Sequence, residues 1–298
     1  MKLLYKHKNG NYNVTLFSDG TKIRETNDDK FIADFPENID VKITDFCAAG
    51  CNWCHEKSTT MGLHSEHLLT AKYFDTLQPG SEIAIGGGNL LDHPLLYKFL
   101  ERMKNNNIVS NITVNQYHFV QDRYRTIIDN LVEKNLVYGI GISMLQPTEN
   151  FINLVKQYDN LVIHTIAGIN PLSQFEKLYS NNLKVLILGY KNFGRGEKYY
   201  SDKVQENISI IANNLSEITR NFKVTSFDNL AIEQLNPKKL MTEEQWQQFY
   251  MGDDGNFTFY IDAVKNQFAK NSTSKTRYSI ETWMTVKDMF DVVKFFNK

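Results

Sequence analysis

Residues 39–55 read IDVKITDFCAAGCNWCH, an apolar run followed at once by three cysteines. The run 39–44 predicts a buried strand, and the cysteines fall in the loop after it. Cys47, Cys51 and Cys54 are the only cysteines of the 298-residue chain. An odd set clustered within one short loop is a poor disulfide framework and a good set of metal ligands.

The cysteine cluster has several chemical interpretations. A loop that contains Gly50 can turn all three thiolates toward one point, as iron–sulfur clusters require, and one iron of a four-iron cluster would stay open to a substrate or cofactor. A structural zinc site is a second interpretation, with His55, His64 or His67 as the fourth ligand. The CxxCH string at 51–55 is also typical of c-type haem attachment, and three unligated cysteines are the last alternative.

The chain beyond the cysteines alternates between short apolar runs and longer periodic stretches. Further strand candidates lie at 82–87, 111–116, 138–144, 161–168, 184–190 and 224–230. Helical stretches separate them, so we expect an α/β fold with a parallel sheet. A barrel is favoured over a doubly wound sheet, because GGGNLL lacks the G-x-G-x-x-G spacing and follows the second strand. In both architectures ligands bind at the C-terminal ends of the strands.

Two flanking segments complete the predicted organisation. Residues 1–35 alternate like strands around an Asn-Gly and an Asp-Gly turn and predict a small N-terminal β-meander. Residues 36–235 are expected to form a partial (β/α)6-type parallel barrel. Residues 236–298, with one strand-like run and a last amphipathic helix, are expected to form an α+β C-terminal cap.

Composition and charge exclude several classes of protein. The 33 Lys and Arg residues balance 34 Asp and Glu residues, for a net charge of -1, so nucleic-acid binding is disfavoured. No uncharged apolar stretch is long enough to span a membrane, so we expect no membrane association. The first residues lack the apolar core of a secretory signal, and a cytoplasmic location is therefore expected.

The spacing Cys-x3-Cys-x2-Cys, with an aromatic residue directly before the last cysteine, resembles the signature of the radical S-adenosylmethionine (radical SAM) superfamily. Its position after the first strand of a βα repeat is similar to that family too, and the resemblance covers about residues 36–235. It implies that Cys47, Cys51 and Cys54 bind a [4Fe-4S] cluster, and that S-adenosylmethionine is the second cofactor. No cysteine remains for an auxiliary cluster.

The resemblance also implies which residues contact S-adenosylmethionine. The stretch after the second strand grips the methionine amino group, with an asparagine in place of the family's acid, and polar residues after strands three and four contact the ribose. Residues of strand five and of the glycine-rich loop after strand six lie against the adenine or bind a carboxylate. The positions are Trp53, Gly86, Gly87, Gly88, Asn89, Asn115, Ser143, Ile166, Tyr190, Lys191 and Arg195.

The implied activity is reductive cleavage of S-adenosylmethionine to a 5'-deoxyadenosyl radical, which abstracts hydrogen from a substrate in an oxidoreductase or transferase-like reaction. A peptide or protein side chain is the leading substrate, because a strand-rich flank can pair with an extended peptide. Alternatives are a nucleotide or small anionic metabolite held by Lys191 and Arg195, a glycyl-radical activase, and a zinc-stabilised binding protein without enzymatic activity. A reductant such as flavodoxin or ferredoxin is the expected protein partner. No catalytic side chain is assigned.

Overall fold

The computed structural model describes residues 2–296. Its strands are β1 (Leu3–Asn9), β2 (Tyr12–Phe17), β3 (Lys22–Glu25), β4 (Asn38–Thr44), β5 (Glu82–Gly87), β6 (Val109–Asn115), β7 (Gly139–Ser143), β8 (Leu161–Ile166), β9 (Lys184–Leu188), β10 (Val224–Phe227), β11 (Thr258–Asp262), β12 (Gln267–Ala269) and β13 (Tyr278–Ser279). Its α-helices are α1 (Leu96–Asn105), α2 (Gln116–Phe119), α3 (Asp122–Glu133), α4 (Glu149–Val155), α5 (Leu172–Glu176), α6 (Gly196–Tyr199), α7 (Asp202–Arg220), α8 (Asn229–Leu235), α9 (Glu243–Phe249) and α10 (Val286–Phe295).

A ten-stranded sheet in the order β10-β9-β8-β7-β6-β5-β4-β11-β12-β13 forms the centre of the molecule. The strands from β4 to β10 follow one another in chain order and are parallel. This order excludes a doubly wound sheet, in which the strand order reverses at a switch point. The predicted α/β class with a large parallel sheet is confirmed. Within residues 2–296 no strand joins β10 to β13, and the predicted six-unit barrel stays a prediction.

The two faces of this sheet differ because side chains alternate along each strand. In β5, Ile83 and Ile85 are fully buried in the core that the helices cover. Ala84 and Gly86, between and after them, line a cavity on the other face. Amphipathic helices α1, α3 and α7 each bury one apolar side, as a helix packed on a sheet must. The small residues on the inner face leave the interior of the sheet open.

The N-terminal meander, β1-β2-β3, is a separate antiparallel sheet, as the alternation of residues 3–25 predicts. It lies at the N-terminal ends of the parallel strands. Lys22 Nζ forms an ion pair with Glu82 Oε2 at 2.6 Å, and Arg24 Nη2 with Glu37 Oε2 at 2.7 Å. Asn160 Nδ2 donates to Ser18 O at 2.6 Å. The meander therefore covers the end of the sheet opposite to the cysteines.

The C-terminal segment extends the main sheet. The strand-like run after Gly255 forms β11, which pairs in parallel with β4, in the register Tyr260 to Asp40 and Asp262 to Lys42. β12 and β13 add antiparallel strands at its outer edge. Residues 258–279 thus continue the sheet, and the proposed boundary near residue 235 does not separate two sheets. No helix in residues 2–296 has the length and apolar character needed to cross a bilayer.

Candidate cofactor and substrate site

A cavity of about 880 Å³ occupies the inner face of the curved sheet. The three cysteines line it at the C-terminal ends of the strands, and the turn of the meander at 17–21 lines it at the other end. Parallel α/β sheets bind ligands at the C-terminal ends of their strands, where the sequence predicted the site. Here the cavity also extends along the whole length of the strands.

The cysteine loop, residues 45–65, is fixed by its own backbone. Asp45 N donates to Leu63 O at 2.8 Å, Cys47 N to Thr59 O at 2.9 Å, and Thr59 N to Asp45 O at 3.1 Å. Gly50 has φ of 65°, a left-handed conformation that glycine adopts without strain. The loop therefore holds its shape through main-chain hydrogen bonds.

The three cysteines are free thiols that are half-buried at the cavity wall. His118 Nε2 lies 3.5 Å from Cys47 Sγ, Ala49 N donates to the same sulfur at 3.4 Å, and Asn115 Nδ2 donates to Cys51 Sγ at 3.6 Å. Burial raises the pKa of Cys47 and of Cys51, and the neighbouring thiols raise it further. Metal binding would have to release these protons, since thiolates are the ligands.

The donor set fits an iron–sulfur cluster better than a single metal ion. In residues 2–296, no three His, Cys, Asp or Glu side chains come together as a single ion requires. A cluster binds each thiolate on a different iron, and N–H donors to the sulfurs are typical of such sites. Two candidate zinc ligands have other partners: His64 Nδ1 lies 2.8 Å from Thr44 Oγ1, and His55 Nε2 lies 3.3 Å from Glu56 Oε1.

The predicted glycine stretch packs directly against the cysteine loop. A Cβ at Gly88 would lie 2.2 Å from Phe46 O, and a Cβ at Gly87, which has φ of 111°, would lie 2.4 Å from Thr44 O. The nearest atom to a Cβ at Gly86 is Thr113 Cβ at 4.0 Å. Gly87 and Gly88 thus allow the loop to approach β5, while Gly86 keeps the cavity wall open.

Asn89, which the resemblance places at the methionine amino group, is not part of the cavity lining. Its side chain is 2% exposed, and its Nδ2 donates to Asp92 Oδ2 at 2.7 Å. Its backbone N donates to Phe46 O at 2.6 Å. In this structure Asn89 therefore fastens the end of β5 to the cysteine loop, and a role in binding S-adenosylmethionine stays a prediction.

The glycine-rich loop after β9 holds the cysteine loop from the other side. Arg195 Nε donates to Cys51 O at 3.0 Å and Nη1 to Ser58 O at 3.0 Å, while its backbone N donates to Cys54 O at 3.1 Å. A Cβ at Gly194, where φ is 66°, would lie 2.2 Å from His55 O. The predicted anion-binding arginine is thus occupied with carbonyl oxygens of the loop that carries the cysteines.

The other predicted contacts do lie around the cavity. Asn115 caps α2 by accepting from Tyr117 N at 2.9 Å. Tyr190 is buried and its hydroxyl donates to Gly196 O at 2.6 Å, and Lys191 Nζ donates to Ser272 Oγ at 2.8 Å. The structure places the following predicted residues around this one cavity: Trp53, Gly86, Gly87, Gly88, Asn115, Ser143, Ile166, Tyr190, Lys191 and Arg195.

A charged cluster beneath the cysteine loop was not foreseen. Lys42 Nζ contacts Asp45 Oδ1 at 2.7 Å, Asp262 Oδ2 at 2.9 Å and Glu56 Oε2 at 3.1 Å, and Tyr260 donates to Glu56 at 3.0 Å. Burial alone would lower the pKa of Lys42, but the three carboxylates outweigh it and raise the pKa. The cluster connects β4, the cysteine loop and β11.

The sequence held a signal for this cluster. Asp40 and Lys42 alternate with Ile39, Val41 and Ile43, so both charges fall on the inner face of β4. Their partners could not be read from the same pattern. Asp262 comes from a strand more than two hundred residues further along the chain.

Comparisons with known proteins bear on the fold. No family model matches the chain, and no curated protein matches its sequence. Among solved structures, SuiB of Streptococcus suis bound to the precursor peptide SuiA is similar with a TM-score of 0.58 and 14% identity, over 89% of this chain and 67% of that one. SuiB bound to S-adenosylmethionine gives a TM-score of 0.56 and 14% identity over 89% and 66%. At this identity the similarity establishes the fold, and the chain spans about two thirds of the length of SuiB.

Proposed function

We propose that the chain is a radical SAM enzyme in which Cys47, Cys51 and Cys54 hold a [4Fe-4S] cluster and the cavity binds S-adenosylmethionine. When bound, these cofactors would supply a 5'-deoxyadenosyl radical that abstracts hydrogen from the substrate. The chain's own residues position both cofactors and enclose the reacting groups. The observation that carries the proposal is the set of three thiols at one end of a large cavity, two of them accepting N–H donors.

Three features of the site support the cofactor assignment. Gly86 leaves open the wall beside the thiols, where the resemblance implies that the methionine moiety lies. The loops that surround the cysteines are fixed from both sides, by Gly88 and by Arg195, so the ligands are preorganised. The similarity to SuiB bound to S-adenosylmethionine points to the same cofactor.

A peptide or protein side chain is the substrate we propose. SuiB, which has the same fold, was solved with a precursor peptide bound. A nucleotide or anionic metabolite has less support, because the Arg195 guanidinium is engaged by two carbonyl oxygens. The meander lies at the opposite end of the cavity from the cysteines, so it does not offer a strand edge beside them. The peptide would therefore enter the cavity rather than pair with the meander.

Anaerobic iron and sulfide analysis followed by a cleavage assay tests the cofactor assignment. After reconstitution, the wild-type protein should bind about four irons with matching sulfide, and reduction with dithionite in the presence of S-adenosylmethionine should release 5'-deoxyadenosine. The Cys47→Ala/Cys51→Ala/Cys54→Ala variant should lose both properties. Thr60→Ala, an exposed change in the same loop, should keep both. Zinc without sulfide in the wild-type protein would refute the proposal.

The substrate assignment needs its own assay. The reconstituted enzyme is incubated with candidate precursor peptides, SuiA among them, and with nucleotides as the alternative class. A peptide substrate should change in mass and raise 5'-deoxyadenosine above the uncoupled level. If a nucleotide is modified and no peptide has any effect, a nucleotide or anionic metabolite replaces the peptide as the proposed substrate. The activase alternative is tested by the same assay with a protein as the substrate.

A further inference from the structure

The N-terminal half of the cavity contains a second polar site, which we call the lower chamber. The strand register places five cavity-lining residues side by side across β11, β4, β5, β6 and β7: Tyr260, Asp40, Ala84, Asn111 and Gly139. Ala84 and Gly139 are small, so the space in front of Asp40 stays open. The chamber lies below the level of the cysteines along the same strands.

Asp40 differs from the other charged groups of the cavity wall. Lys42, Glu56 and Glu82 form ion pairs, and Asp228 accepts hydrogen bonds from the backbone N of Gly189 and Ala231. Asp40 has its side chain open to the cavity and forms no ion pair within residues 2–296. Among the described residues it is therefore the acidic group at this level of the wall that no cation pairs with directly, and Lys191 and the Asn38 side chain offset only part of its charge.

This arrangement is costly without a ligand. The inner face of a parallel sheet is normally apolar, and an ionised carboxylate enclosed by protein loses much of its hydration. The pKa of Asp40 is raised to about 6, because burial, the largest cause, acts together with Asp254 and Asp228 and outweighs Lys191 and the hydrogen bond with Asn38. A nearby positive charge would favour the ionised form and reverse this effect.

We propose that Asp40 binds a cationic group of the substrate, an ammonium or guanidinium of a peptide side chain, in the lower chamber. This inference rests on the proposed function for what reacts above the chamber, but the binding itself requires no cleavage of S-adenosylmethionine. Asn111 cannot serve instead, because its Nδ2 donates to Glu82 and its Oδ1 accepts from Gly139 N. The Tyr260 hydroxyl is likewise engaged by Glu56. Asp40 is thus the specificity-determining group of the chamber.

Thermal unfolding of the reconstituted protein with small probes tests this assignment. The probes are n-butylammonium and n-butylguanidinium, which carry the ends of lysine and arginine side chains, and n-butanol as the neutral analogue. A ligand that binds only the folded state raises the midpoint with its concentration. We expect a saturable rise with one or both cations and none with butanol. Asp40→Asn should weaken the apparent affinity at least tenfold, whereas Asp29→Asn, an exposed acid, should leave it unchanged.

A second variant separates binding from folding. Ala84→Leu fills the chamber beside Asp40 but keeps the carboxylate, and it should also abolish the cation effect. The inference is overturned if neither cation stabilises the wild-type protein, if butanol stabilises it equally, or if both variants retain the effect. Cation binding at Asp40 in a protein that binds no iron would refute the proposed function and leave this inference standing. The converse result, an active cluster without cation binding, would refute the inference alone.

Discussion

The two ends of the cavity are built by different kinds of interaction. At the cysteine end, the loop is fixed by main-chain hydrogen bonds and by glycines such as Gly88 that admit close backbone contact. At the meander end, Arg24 and Lys22 hold the covering sheet to Glu37 and Glu82 through ion pairs. The backbone of the first end is therefore fixed mainly by close packing and main-chain hydrogen bonds, whereas ion pairs attach the covering sheet at the second end.

Lys42 is the exception at the cysteine end, and its replacement should have the largest effect on stability. Lys42→Met removes the ammonium that Asp45, Glu56 and Asp262 share, and it leaves these largely buried carboxylates without that cation. Removing one partner from a buried ionic group costs about 3–5 kcal/mol. Urea denaturation measures the loss.

The control for Lys42 is Lys184→Met, which lies on the same inner face of the sheet. Lys184 Nζ donates to Asp159 O at 3.0 Å and forms no ion pair with any residue that the structure describes, so this variant should lose less than about 1 kcal/mol. If both variants are equally stable, the charged cluster does not hold the loop, and the cysteine end depends on backbone geometry alone.

A pair of glycine variants tests whether shape determines the cysteine end. Gly88→Ala places a methyl group 2.2 Å from Phe46 O, so the loop must move; we expect a loss of about 1–3 kcal/mol and reduced iron binding. Gly86→Ala meets nothing closer than 4.0 Å and should keep both the fold and the iron, while narrowing the cavity. Iron content and denaturation midpoints compare them. Normal iron binding by Gly88→Ala would contradict the packing argument.

Local patterns explain why the cysteine end could be predicted. The cysteine spacing and the strand before it lie within one stretch of chain, and so do the glycines after β5. The partner of Arg195 could not be predicted, because a guanidinium has donors for carboxylates and carbonyls alike. Its position in a glycine-rich loop predicted an anion as its partner, whereas in the structure it donates to the carbonyl oxygens of Cys51 and Ser58.

Long-range pairing explains what the sequence could not show. The predicted run after Gly255 is indeed a strand, but nothing local indicates that it pairs with β4 rather than standing apart in a cap. The same holds for the meander, whose β-strands were predicted while its position over the far end of the cavity was not. The surroundings of Asp40 likewise depend on long-range pairing, because the strand register places it beside Ala84 and Tyr260.

Glu37→Gln tests whether charge holds the meander end. Burial acts to raise the pKa of Glu37, but Arg24 and Lys22 outweigh burial and hold the pKa below the usual 4.5. The stability that the ionised Glu37 carboxylate contributes is therefore present above pH 4.5, the usual pKa of the group. This stability is lost as the pH falls through the lower pKa of Glu37 in the folded state. The variant should lose about 1.5–3 kcal/mol at pH 7 and show a weaker acid dependence. Denaturation from pH 7 to pH 3 measures both effects.

Hydrogen exchange localises the effect of Glu37→Gln. The amides of β1 to β3 should lose protection, while those of the cysteine loop keep it, because no ion pair within the described residues 2–296 joins the two ends. Iron binding should also stay at the wild-type level. Equal loss of protection at both ends would show that they unfold as one unit. The two ends would then not be stabilised independently, and the comparison drawn between them would fail.

The smallest expected effect is on the reduction potential and concerns His118, whose ring packs against the sulfur of Cys47. His118 is 1% exposed, and its Nε2 lies 3.5 Å from Cys47 Sγ. An N–H donor to a cluster thiolate stabilises the reduced, more negative cluster, so removing it should lower the reduction potential. We expect a lower midpoint potential for His118→Ala in a redox titration followed by electron paramagnetic resonance, with unchanged iron content. His118→Gln, which retains an N–H donor, should recover part of the shift.

Tyr124→Phe is the matched control for His118, because the Tyr124 ring packs against His118 at 5.1 Å and its hydroxyl hydrogen-bonds to Asp92. It perturbs the same packing without removing a donor from the sulfur, so its potential should equal that of the wild-type protein. A shift of the same size in Tyr124→Phe and His118→Ala would assign the effect to packing. If none of these variants changes the reduction potential, His118 contributes only to packing. The hydrogen bonds from Ala49 N to Cys47 Sγ and from Asn115 Nδ2 to Cys51 Sγ would then be the ones that act on the sulfurs.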